Sequence, residues 1–152
     1  MIFKKALAII SSVIIATSML AVSASAANTQ DTYYTYTWSN GKRYDFTPTR
    51  YKYDYTPVYL CPINSSLPEG GFYASTFYGT SSSNATNKAS ASEYLVNSYY
   101  GCTIKANGTS VSQKNKWVRI RGHYKNTTYS WGDCTIAWSP DTANAYNYSS
   151  LN

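Results

Sequence analysis

From residue 32 onward the chain alternates apolar and polar side chains with a period of two, as strands do when one face lies on a core. Tyr34, Tyr36 and Trp38 share one parity with Thr35 and Thr37 between them, and Ser39-Asn-Gly-Lys42 then reads as a hairpin turn. A second strand is predicted from Arg43. It stops at Thr47-Pro48, because proline donates no ladder hydrogen bond and holds the residue before it extended. The same phrase then returns: Arg43-Tyr-Asp-Phe-Thr-Pro48 is followed by Lys52-Tyr-Asp-Tyr-Thr-Pro57. This repeat is too short for a solenoid unit and reads as two consecutive strands, the second over residues 50–55.

Further strands are predicted over 58–61, 71–78, 88–100 and 103–106, the last closed by Asn107-Gly108. Residues 62–70 and 79–87, rich in Ser, Asn, Pro and Gly, read as loops. The clearest hairpin pairs 116–125 with 129–138 across Asn126-Thr127-Thr128. From about 139 a polar tail follows, frayed or laid along a sheet edge. Sustained 3.6-residue periodicity is missing, and the 17 tyrosines favour strands over helices. The expectation is an all-β chain: a single antiparallel β-sandwich or small barrel of about eight short strands.

The first 26 residues break this pattern. Lys4 and Lys5 precede an apolar run from Ala6 to Val22, and Ala24-Ser-Ala26 supplies a small-x-small cleavage site. This is the build of a secretory signal peptide, and the interrupting Ser11, Ser12, Thr17 and Ser18 disfavour an uncleaved anchor. Cleavage after Ala26 leaves 126 of the 152 residues, enough for one domain at 27–152. The expected location is extracellular, and the Lys-Lys signal style points to a Gram-positive bacterium. Removal of Lys4 and Lys5 lowers the net charge from +6 to about +4. Such a balance favours anionic partners. Nucleic acid is an unexpected one outside the cell, and no second apolar run offers stable membrane insertion.

In an oxidising compartment Cys61, Cys102 and Cys134 are candidates for pairing, with one left over. Cys102 and Cys134 each precede an Ile by two residues on one strand face. If their strands are neighbours the two could bond, leaving Cys61 free or available to a second chain.

Candidate chemistry concentrates at 116–125. Val118, Ile120 and Tyr124 share one face; Trp117, Arg119, Arg121, His123 and Lys125 share the other. Residues 94–132 contain six basic residues and no acidic one. Arginine forks there suit carboxylate, sulfate or phosphate, and Trp117 suits a ring stack; the plainer reading is a solvated basic face. Tyr51, Tyr53 and Tyr55 share a face opposite Arg50, Lys52 and Asp54. They are expected to line the core, or, where exposed, to form a stacking platform for sugar rings.

His123 reads as a surface histidine, since no nucleophile-elbow motif accompanies it. Glu69 and Glu93 have nothing to fix their separation as a glycosidase pair. One His and three widely spaced Cys make no metal-ligand pattern, and no cofactor motif occurs. The functional expectation is therefore a secreted, non-enzymatic module that binds an anionic or carbohydrate polymer of a cell envelope or extracellular glycan. The alternative is a secreted cationic antibacterial, bacteriocin-like or toxin-like protein.

Overall fold

The computed structural model describes residues 27–39, 41–63, 70–97, 99–104, 115–124, 132–143 and 149–151. The signal segment, the Asn107-Gly108 turn, the Asn126-Thr127-Thr128 connection, Glu69 and Lys125 lie outside them. Eleven strands form among the described residues: β1 (Thr32–Trp38), β2 (Tyr44–Phe46), β3 (Arg50–Lys52), β4 (Val58–Pro62), β5 (Phe72–Gly79), β6 (Asn87–Lys88), β7 (Tyr94–Val96), β8 (Cys102–Ile104), β9 (Lys116–His123), β10 (Gly132–Ser139) and β11 (Ser149–Leu151). There is no helix among them.

The strands make two sheets rather than a closed barrel. One has the order β1-β10-β4-β8-β11; the other has β2-β9-β5-β6, with β3 also on β9 and β7 also on β5. Every pairing is antiparallel except β8 with β11, which is parallel. The tail thus ends along a sheet edge, and the architecture is sandwich-like but not purely antiparallel.

Two expected hairpins are absent. The turn after β1 is formed, with reciprocal hydrogen bonds between Ser39 and Lys42 and Gly41 at φ 86°. Yet β1 belongs to the five-stranded sheet and β2 to the six-stranded one. Likewise β9 and β10, read as the clearest hairpin, lie in different sheets. Both connections carry the chain from one layer to the other.

The layers meet through aromatic rings. Tyr36 and Trp38 of β1 stack at 5.4 Å, and Phe72 of the opposite sheet lies 5.5 and 5.4 Å from them. Both rings press on the β9 backbone: Tyr36 Oη donates to the Ile120 carbonyl and Trp38 Nε1 to the Gly122 carbonyl, each at 3.3 Å. Val58, Leu60, Ile104, Val118, Ile120 and Ile136 fill the rest and are fully buried. Each contributes about 1.5–3 kcal/mol by leaving water, and the ring pairs add about 0.5–1.5 kcal/mol apiece.

Candidate functional site on the six-stranded sheet

The face of the six-stranded sheet turned away from the core is built around β9, whose Trp117, Arg119, Arg121 and His123 point outward while Val118, Ile120 and Gly122 point inward. What flanks them depends on a bulge. Phe46 faces Arg121 and Arg50 faces Val118, so four steps along β2–β3 cover three along β9. The extra residue falls at Thr47-Pro48-Thr49. There Thr47 N–H donates to the Ile120 carbonyl and Thr47 Oγ1 accepts the Ile120 N–H, both at 2.9 Å, so the interrupted ladder stays satisfied.

The bulge resets side-chain parity. Tyr44 and Phe46 point outward on even numbers, and Tyr51 points outward on an odd one, beside Trp117 at 5.5 Å. The expectation that Tyr51, Tyr53 and Tyr55 line the core is therefore corrected. Tyr51 is half-buried on the outer face, Tyr53 packs on it at 4.8 Å, and Tyr53 and Tyr55 are 36% and 60% exposed. Strand β3 ends at Lys52, so the three rings do not continue one strand face.

The cations of β9 are sandwiched among rings. The Arg119 guanidinium carbon lies 4.0 Å over Phe46, and that of Arg121 lies 4.8 Å from Tyr44 and 4.9 Å from Phe77. His123 packs on Tyr44 at 4.2 Å. Neither arginine is simply solvated, and His123, read as a surface residue, is buried at 9% exposure. Glu93 explains it: its carboxylate takes a short hydrogen bond from Arg121 Nη2 and meets His123 Nδ1 at 3.0 Å through both oxygens.

Arg121 is thus neutralised, whereas Arg119 makes no hydrogen bond or ion pair among the described residues. Its Nε, that of Arg121 and Ser75 Oγ are buried without partners among the described residues. Burial also lowers the Arg119 pKa from its usual value without removing its charge. Among the described residues Arg119, over the Phe46 ring, and the exposed Lys88, which the register places beside Phe77 on the same face, are open cations, and Trp117 and Tyr51 flank Arg119 along β9 and β3.

With its neighbouring ring outward, Lys52 turns inward, opposite to its expected place on a solvated polar face. Its ammonium is 1% exposed and lies 2.8 Å from Asp141 Oδ1, 2.7 Å from the Pro140 carbonyl and 3.6 Å from Asp54 Oδ1. Asp141, 0% exposed, accepts N–H groups of Asn28 at 2.7 Å and Tyr53 at 3.0 Å on Oδ2, and of Asp54 at 3.3 Å on Oδ1. Desolvation alone raises the Asp141 pKa; hydrogen bonds from Lys52, Tyr53 and Asp54 and the Lys52 charge outweigh it and bring it down to about 2. Sequence reasoning left Asp141 in a polar tail and Glu93 in a polar stretch. Both partners are distant along the chain, and only the buried cation facing each reveals them.

The cysteines also differ from expectation. β4 lies between β8 and β10, so Cys102 faces Leu60 and Cys134 faces Tyr36 instead of each other. Both point into the core as expected, but all three thiols are free. Burial, the leading cause, pushes Cys102 and Cys134 up to about 12. Cys61 is half-buried, with Sγ 3.3 Å from the Tyr99 carbonyl.

No protein-family model, curated protein or solved structure matches the chain.

Proposed function

We propose that the chain is a secreted, non-enzymatic module that adheres to an anionic carbohydrate polymer of a cell envelope or extracellular glycan. The outer face of the six-stranded sheet is its binding surface. The observation that carries this reading is the contrast between two arginines two residues apart: Glu93 occupies Arg121, while the terminal nitrogens of Arg119, over Phe46 and next to the Trp117–Tyr51 pair, have no partner among the described residues. An arginine braced on a ring is pre-ordered for a planar carboxylate, sulfate or phosphate, and little side-chain entropy remains to be lost. Trp117, Tyr51 and Tyr53 offer flat apolar surfaces with polar tips beside it, suited to the faces of sugar rings. His123 holds Glu93 in place and so has a positioning role.

Co-sedimentation tests the reading. The protein should pellet with acidic polysaccharides or isolated cell-wall material, less so as salt screens the Arg119 contact, and weakly with neutral polysaccharides. Absence from the pellet across acidic and neutral polymers alike would overturn it.

A further inference from the structure

The buried charges beneath this surface carry a second, independent reading. We infer that Lys52 and Asp141 condense within the folded protein into a side-chain amide, with Asp54 as proton carrier. Three features support the reaction. The amine nitrogen and the carboxyl oxygen are 2.8 Å apart in a site closed to solvent on both sides. A second carboxylate, Asp54, reaches the same ammonium at 3.6 Å and is partly exposed, so it can exchange protons. The other oxygen of Asp141 receives two backbone N–H groups, from Asn28 and Tyr53, placed as donors to the oxyanion that addition at Cγ would create.

The step balances without an outside reagent. Asp54 takes one proton from Nζ and passes it to Asp141 Oδ1, giving a neutral amine and a neutral acid. The Nζ lone pair adds to Cγ, and negative charge moves to Oδ2 under the Asn28 and Tyr53 N–H groups. Asp54 relays a second proton from nitrogen to Oδ1, the Cγ–Oδ1 bond breaks, and one water leaves. The product is an amide N–H, with Asp54 ionised again. Fixed proximity replaces a bimolecular encounter, and the product removes two buried charges that cost desolvation as an ion pair. The hydrogen bonds that keep Asp141 ionised make the neutral pair scarce. The reaction is accordingly slow, and each molecule needs it once.

The bond would join β3 of one sheet to the segment just after β10 of the other, closing a loop between positions 89 residues apart. With the three thiols free, it would be the covalent tie between the layers among the described residues.

Mass spectrometry of the purified full chain, its terminal residues read from end peptides, decides the matter. The folded protein should be lighter than its sequence by one water, and protease digestion should yield a branched peptide joining Lys52 to Asp141. Lys52→Arg keeps the charge but should restore the full mass. Asp54→Asn should slow the loss of water by about 100-fold in the freshly folded protein. Full mass and linear peptides in the folded wild-type chain after days of incubation would overturn the inference, whether or not the variants fold. So would a missing water that maps elsewhere, and Asp54→Asn reacting at the wild-type rate would remove the role given to Asp54.

Discussion

Gly122→Ala probes how closely the two layers approach. A Cβ at position 122 would stand 2.9 Å from Tyr36 Cδ1 and 3.0 Å from both Tyr36 Cε1 and Trp38 Cζ2. Carbon atoms in comfortable contact are about 3.5–4.0 Å apart, so both rings must yield by about 0.5–1 Å. They have little room to do so. Tyr36 and Trp38 stack on each other and pack at a tilt against Phe72, Trp38 also meets Tyr124 at 5.8 Å, and both rings donate hydrogen bonds to β9 carbonyls.

Overpacking of this kind costs about 1–3 kcal/mol. Gly122 has no positive φ, so alanine meets no backbone strain and gains about 0.4–1 kcal/mol by narrowing the unfolded ensemble. The net expectation is a loss of about 1–2 kcal/mol, or a fall of about 3–8 °C in Tm for a domain of this size. Denaturant unfolding should show a lower midpoint with an unchanged m-value. Trp38→Phe removes the atom at Cζ2. In that background the Gly122→Ala cost should shrink by at least about 0.5 kcal/mol, a coupling a double-mutant cycle reads directly. A neutral Gly122→Ala, or strict additivity with Trp38→Phe, would refute the packing argument.

Three other outcomes follow from single contacts. Thr47→Val leaves the Ile120 N–H without its side-chain acceptor at the bulge, so unfolding free energy should drop by about 1–3 kcal/mol; a drop below about 0.5 kcal/mol would show the bulge satisfied by other means. In native protein a thiol reagent should label Cys61 and spare Cys102 and Cys134, whose burial holds them protonated, with all three labelled in denaturant; equal native labelling would contradict the burial. Burial first, then Asp45, raises the Tyr34 phenol from 10.0 to about 12. Because the folded value lies above the unfolded one, this stabilisation is complete below pH 10 and lost as pH rises toward 12. The stability difference between wild type and Tyr34→Phe should therefore shrink across that window, and a flat difference would count against the burial and the Asp45 contact that raise the phenol.

The alternation in β1 was legible because one strand without interruption meets one core: Tyr36 and Trp38 point where their parity says. The same reasoning fails at Tyr51 because parity survives only while the register does. Pro48 was visible as a strand breaker, but whether the next strand would resume on the same partner one residue out of step depends on the contact of Thr47 with Ile120, 73 residues further along the chain. β9 and β10 were read as a hairpin because a polar turn looks alike whether the chain folds back in its own sheet or crosses to the facing one. The outward stripe Trp117, Arg119, Arg121 and His123 was correct as a face. Its internal division, with Glu93 closing Arg121 and leaving Arg119 open, was not legible, since a carboxylate 28 residues away has no local spacing signal. Lys52 turned inward with the same parity change, and a buried ammonium then required a partner such as Asp141.

The binding face is tested most directly by titrating a uronic-acid oligosaccharide into wild type, Arg119→Ala, Arg121→Ala and Trp117→Ala, with affinity measured by calorimetry at low salt. The account expects Arg119→Ala to weaken binding by about 10–100-fold, the worth of a charge-assisted hydrogen bond of about 1.5–3 kcal/mol. Trp117→Ala should weaken it comparably through the lost ring stack, and Arg121→Ala by a smaller factor because Glu93 already engages that side chain. Equal affinity of wild type and Arg119→Ala, or a larger loss from Arg121→Ala, would contradict the assignment of Arg119 as an open cation that holds the ligand.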